Sequence, residues 1–204
     1  MRQETIIKTY LEFNELDEKQ QRKVLDKQRD INVGYKWYEF TKEEFHSDLE
    51  TLGFSAITSQ FSGFCSQGDG ASFTAIFDLP KSKNDLKERV EKLLKNAPYF
   101  FHTFADKIED RKETGLKESF LNLDFSKELE DGEEQIVIKQ RGHYYHECTM
   151  KCWNEGLQEF SRALAARYYI QLEREYDYLT SDEAIKETLE SNDYEFDSET
   201  LEIY

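Results

Sequence analysis

A chain of 204 residues with 15 Phe and 12 Tyr is long enough to close a core without metal or disulfide help, and 2 Pro and 9 Gly are too few for a disordered chain. The net charge of −16 argues against a basic face for nucleic-acid phosphates and against adhesion to an anionic membrane. Cys65, Cys148 and Cys152 make no disulfide framework, the first residues lack the apolar run of a signal peptide, and no stretch reaches the length of a membrane span, so a reducing cytoplasm is the expected setting.

Thr5 to Phe13 reads as a first strand, and Asp17 to Arg29 as a polar amphipathic helix. The next helix has a clear start signal: Thr41 as N-cap, Glu44 completing a capping box, and Phe40 with Phe45 as the hydrophobic staple. Phe45, Leu49 and Leu52 share its apolar face and Gly53 stops it. Phe54 to Phe61 and Ala71 to Leu79 read as two strands joined by a Gly-rich turn. In the second, Phe73, Ala75, Phe77 and Leu79 point one way and Ser72, Thr74 and Asp78 the other, with Ile76 an apolar exception on the outer face.

After Pro80 and Ser82 comes a helix carrying Leu86, Val90, Leu93 and Leu94, then an aromatic helix following Pro98. Leu121, Leu123 and Phe125 alternate as a strand. Ile136 to Gln140 and Tyr144 to Cys152 suggest a hairpin around Arg141-Gly142. A long helix from Asn154 to Tyr178 buries Leu157, Phe160, Leu164, Tyr168 and Leu172. Thr180-x-x-Glu183 is a capping box for a short helix, and the two ends Tyr194–Asp197 and Leu201–Tyr204 alternate as a terminal hairpin. With no repeat and no low-complexity linker, residues 1–204 are expected to form a single α+β domain: a mostly antiparallel sheet with helices packed on one face.

The acid is unevenly spread. Glu173 to Tyr204 holds twelve Asp or Glu against Arg174 and Lys186, a net charge of −10, which leaves −6 for the preceding 172 residues. Such a segment is either a solvated face or a surface for a basic partner, with Asp182, Glu183, Glu187, Glu190 and Glu195 as the candidate contacts.

Two polar turns are the other candidates. Ser66, Gln67, Gly68, Asp69 and Gly70 follow Phe64; glycines let backbone N–H groups approach an anion, and the polar side chains can complete a phosphate or base contact. This is not a P-loop, because no Lys-Ser/Thr follows and a strand comes next. The alternative is a long hairpin turn in which Asp69 and Ser66 satisfy the backbone. The second turn offers His143, Tyr145 and His146 as ligand contacts, with either His a possible general base beside Asp69 or Glu147. Strand alternation would place His146, Cys148 and Cys152 on one face, but the spacing matches no standard zinc site, so no metal and no cofactor are expected.

The segments Phe61–Phe73, Gly142–Glu147 and Leu172–Phe196, the last with its Tyr178-Leu179-Thr180-Ser181-Asp182-Glu183-Ala184 core, resemble a phage and prophage family labelled "antitoxin of toxin–antitoxin stability system". Cys65 departs from it, where an aromatic residue is expected. The resemblance implies an accessory role in the host cytoplasm: binding and inhibiting a host defence or toxin factor, without catalysis. The expected partner is then a host protein with a basic surface, with no direct nucleic-acid or membrane binding. The alternative is a protein that binds, and conceivably hydrolyses, a signalling nucleotide or another small ligand with the two turns.

Overall fold

The computed structural model describes residues 8–66, 68–98, 100, 117, 120–125, 134–140 and 155–204. In chain order its elements are β1 (Tyr10–Glu12), α1 (Glu18–Lys27), α2 (Glu39–Leu52), β2 (Phe54–Phe61), β3 (Ala71–Asp78), α3 (Lys83–Asn96), β4 (Gln135–Gln140), α4 (Glu155–Leu179), α5 (Asp182–Ser191) and β5 (Glu195–Asp197). The class is α+β, and among the described residues the strand pairs are antiparallel, in line with the expected mostly antiparallel sheet. The chain divides into two compact units, one of Met1–Tyr38 with Arg174–Tyr204, the other of Glu39–Glu173.

In the first unit the two ends of the chain pair. β1 lies against β5 with Leu11 opposite Phe196, and a single bridge joins Phe196 to Ile203. The first strand is therefore shorter than Thr5–Phe13, because Phe13 turns into a 3-10 helix, Phe13–Glu15; Thr5 to Ile7 lie outside the described residues. β5 takes β1 as its main partner, so the terminal hairpin is reduced to that one bridge. Phe13, Leu16, Val24, Ile185, Leu189, Phe196 and Leu201 close a core of their own. Asp17 caps α1 by accepting from the Gln20 N–H at 2.8 Å. The cap of α5 is Ser181, whose Oγ accepts from the Ala184 N–H at 3.2 Å. Thr180, the expected cap, instead turns its hydroxyl back to the Tyr176 carbonyl at 2.8 Å, one turn earlier in α4.

In the second unit three strands run in the order β2-β3-β4. Phe54, Phe73, Ala75 and Phe77 are buried on the face that receives the helices. The Phe45 ring of α2 stacks on Tyr168 of α4 at 4.4 Å and meets Phe73 edge-on at 5.8 Å. Phe120 stacks on Phe160 at 4.0 Å and meets Phe77 at 6.4 Å. The predicted stripe of the long helix is present: Leu157, Phe160, Leu164, Tyr168 and Leu172 are all buried. On the opposite face Ile76 stands beside Val137 of β4.

Two local expectations fail here. α2 begins at Glu39, so Thr41 lies inside the helix and is buried one turn before Phe45, and the staple is absent because Phe40 is 78% exposed while Phe45 is fully buried. The alternation of Leu121, Leu123 and Phe125 is not a strand. Leu121 ends a helical turn, the Leu123 N–H bonds back to the Phe120 carbonyl at 3.2 Å, and Phe125 is buried through its ring contact with Phe77 at 5.7 Å. The aromatic segment after Pro98, except Phe100, and the strand expected over Tyr144–Cys152 lie outside the described residues.

β2 carries one irregularity that matters for the site. Ser55 pairs with Ile76, but Thr58 pairs with Thr74, so β2 holds one extra residue, and Ala56 adopts φ 49°. Such a bulge inverts the alternation downstream. Phe54 faces the helices before it; Ser59 and Phe61, opposite the buried Phe73 and Ala71, face them after it.

Candidate functional site

The Gly-rich turn between β2 and β3 is held by its own side chains. One carboxylate oxygen of Asp69 accepts from the N–H groups of Cys65 at 2.9 Å and Ser66 at 2.6 Å, while the Asp69 N–H donates to the Ser66 carbonyl at 3.0 Å. The Ser62 hydroxyl accepts from the Gly70 N–H at 3.1 Å. Gly68, at φ 108°, makes the left-handed bend that a side chain would strain. Asp69 thus occupies the position an anion would take against these backbone donors. The turn is anchored to α4: Phe61 stacks on Phe64, Phe64 meets Tyr169 at 5.4 Å, and the Tyr169 hydroxyl donates to the Gly63 carbonyl at 3.2 Å. Gln67, His143, Tyr145 and His146 lie outside the described residues.

The acidic candidates sort by partner. Asp182 forms an ion pair with Arg29, which also pairs with Asp26 at 3.0 Å, and Glu190 pairs with Lys186 one turn earlier at 3.6 Å. Glu183, Glu187 and Glu195 are exposed, with no cationic partner among the described residues. Asp197, by contrast, is structural: the N–H groups of Thr200 and Glu199, and then Lys8 at 3.1 Å, hold its carboxyl down to about 2. Residues 1–38 bring eight Lys or Arg against seven Asp or Glu, so the N-terminal segment of this unit offsets little of the charge of 173–204.

Two polar pairs in the second unit were not anticipated. His46 of α2 places Nε2 2.9 Å from the Ser59 hydroxyl of β2, both residues half-buried. Burial pushes the imidazole below its ordinary value, Lys42 adds to this, and Glu50 opposes it. The readable signal was the change of parity between Phe54 and the later apolar residues Ile57 and Phe61, which marks a bulge and sends Ser59 inward.

The second pair is Asp48 and Arg167, joined at 3.1 Å with Arg167 also lying over the Phe100 ring at 4.0 Å. Burial raises the Asp48 carboxyl and lowers the Arg167 guanidinium despite their mutual attraction. Arg167 Nε and, one turn on, Gln171 Oε1 are buried with no hydrogen-bond partner among the described residues.

Among the described residues no group of three or more His, Cys, Asp or Glu could hold a metal ion, and no helix is long and apolar enough to cross a membrane. Neither the curated proteins nor the solved structures yield a match. One family model matches, over residues 37–182, a span that contains all of the second unit and leaves most of the first outside it. The chain therefore belongs to the family described as Domain of unknown function (DUF8835).

Proposed function

We propose that the protein is an acidic interaction module of the phage accessory type, which binds a basic surface on a host defence or toxin protein and inhibits it by occupying that surface. The observation that carries this reading is the set Glu183, Glu187 and Glu195, exposed on α5 and β5 without an ion-pair partner among the described residues. Carboxylates tied to cations within the fold, such as Asp182 and Asp197, are poor candidates for the contact, because a partner would have to displace Arg29 or Lys8. Like charges of one sign draw an oppositely charged partner and raise its association rate, an effect that salt screens over about 8 Å at physiological ionic strength. The alternative of an anionic small ligand at Ser66–Gly70 loses support, since Asp69 already takes the N–H donors that a phosphate would use.

The test is affinity for a partner captured from host lysate by cross-linking, then purified. Reversing Glu183, Glu187 and Glu195 to Lys should weaken association at low salt and flatten its salt dependence, with the unfolding transition unchanged. An affinity indifferent to both salt and reversal would reduce the acidic surface to a solvated face.

A further inference from the structure

The polar pair at the bulge goes beyond a binding role and lies in the other unit. Ser59 lies just beyond the extra residue of β2. Unbroken alternation counted from Phe54 through Ala56 would put it on the outer face of the sheet; with the bulge at Ala56, the hydroxyl meets His46 Nε2 at 2.9 Å. Backbone strain of this kind, a non-glycine residue at positive φ, persists where the surroundings over-determine it and is concentrated at functional sites. A hydroxyl within hydrogen-bond reach of an imidazole is the nucleophile–base part of the signature of an activated nucleophile. Glu50, one turn beyond His46 on α2, supplies a negative charge that favours the imidazolium formed when the imidazole takes a proton.

What surrounds the hydroxyl indicates the kind of substrate. Phe61 lies two residues along the same strand on the same face, about 7 Å away by strand rise. It continues through Phe64 to Tyr169, at 5.8 and 5.4 Å between rings, all three half-buried. An apolar or aromatic group can rest along this wall while a carbonyl is presented to Ser59.

We propose that Ser59 and His46 are the nucleophile and general base of an acyl-transfer site that takes esters with an apolar or aromatic acyl group. The Ser59 Oγ bonds to the carbonyl carbon as its proton passes to His46 Nε2. The tetrahedral adduct collapses with cleavage of the ester C–O bond, and the departing alkoxide takes the proton from Nε2 and leaves as the alcohol. Water then gives a proton to Nε2 as its oxygen attacks the acyl-serine; Ser59 Oγ departs, recovers that proton, and the acid is released.

The experiment uses the full chain, a fluorophosphonate probe with mass-spectrometric site mapping, and hydrolysis of p-nitrophenyl butyrate. The expected result is labelling at Ser59, abolished in Ser59→Ala, and slowed about 100-fold in His46→Asn with a parallel loss of hydrolysis. Thermal unfolding of each variant is followed alongside; if His46→Asn does not fold, His46→Gln, which keeps a hydrogen-bonding group but has no titratable nitrogen, decides in its place. A folded wild-type chain left unlabelled at Ser59, or labelled at the same rate after His46 is replaced, overturns the proposal. Neither result bears on the charge-based binding of the first unit, which the salt and reversal experiment reads separately.

Discussion

Asp48 and Arg167 stand 119 residues apart in the chain and 3.1 Å apart in the fold, almost sealed from water between α2 and α4. A pair this deep gives up the hydration of two charges, and burial pushes both groups toward their neutral forms even with the partner present. Removing one partner should therefore be costly and removing both should not. Arg167→Met or Asp48→Leu alone is expected to destabilise the second unit by about 3–5 kcal/mol, and the double replacement by far less. Urea unfolding of the four proteins in a double-mutant cycle measures this.

Gly53 is expected to resist any side chain. It ends α2 at φ 96°, its N–H donates to the Glu50 carbonyl at 3.0 Å, and its carbonyl accepts from Asp78 at 2.9 Å. A Cβ there would meet the Arg89 guanidinium, which bonds the Asp78 carbonyl at 2.7 Å and both oxygens of Asp85 at 3.2 Å. Gly53→Ala then combines a left-handed penalty of about 1–2 kcal/mol with displacement of Arg89. Chemical denaturation should show a loss at or above that value; a smaller one would mean that Arg89 moves aside freely.

Asp69 separates a structural turn from a ligand turn. Its carboxylate accepts from two exposed backbone donors that water can reach, so Asp69→Ala should cost about 0.5–1.5 kcal/mol through the lost hydrogen bonds. Affinity for inorganic phosphate or a nucleotide, measured by calorimetry, should not fall in the variant. Loss of such an affinity with stability intact would restore the turn as a binding site.

Asp197 predicts an acid limb. Its folded value of about 2 lies below its ordinary value of 3.8, so its contribution to stability is fully present above pH 4 and is lost as pH falls toward 2. The wild-type chain and Asp197→Ala should differ most in unfolding midpoint near neutrality and converge toward pH 2. A constant difference down to that pH would show that the carboxylate is not the group responsible.

How much of this could be read from residues alone depended on the period involved. The α4 stripe from Leu157 to Leu172 repeats over about four turns, so single misplacements do not disturb it, and all of its members are buried. The boundary at Thr180 differs because a hydroxyl can cap a helix or bond back along one, and that at Thr41 because α2 already begins at Glu39. Reading the His46–Ser59 contact depends on locating one inserted residue, and alanine carries none of the composition cues of a bulge. Arg167 was masked by its type: a cation within an otherwise apolar stripe reads as an exposed edge until its partner, on another helix, is known. The acidic segment was legible as charge, but the division into carboxylates tied to Arg29, Lys186 and Lys8 and those left open is a property of tertiary placement.

Ala56 offers the most direct test of the bulge. At φ 49° its Cβ crowds the following carbonyl, a cost of about 1–2 kcal/mol that glycine does not bear. Glycine in turn has more freedom to lose on folding, about 0.5–1 kcal/mol relative to alanine. The difference leaves Ala56→Gly more stable than the wild type by about 0.5–1 kcal/mol, an uncommon direction for a substitution to glycine inside a strand. Because the register beyond the bulge is set by the Ser59–Phe73 and Phe61–Ala71 pairs, Ser59 should stay within reach of His46, and its reactivity toward the fluorophosphonate should persist. Deleting Ala56 removes the extra residue, sets Ile57 opposite Ala75 and leaves the Thr58–Thr74 and Ser59–Phe73 pairs as they are, so Ser59 stays on the inner face. The deletion and the glycine variant should therefore both retain Ser59 labelling, with both followed by thermal unfolding. If the glycine variant were destabilised by a kcal/mol or more, the left-handed conformation at Ala56 would not be the one the protein holds in solution.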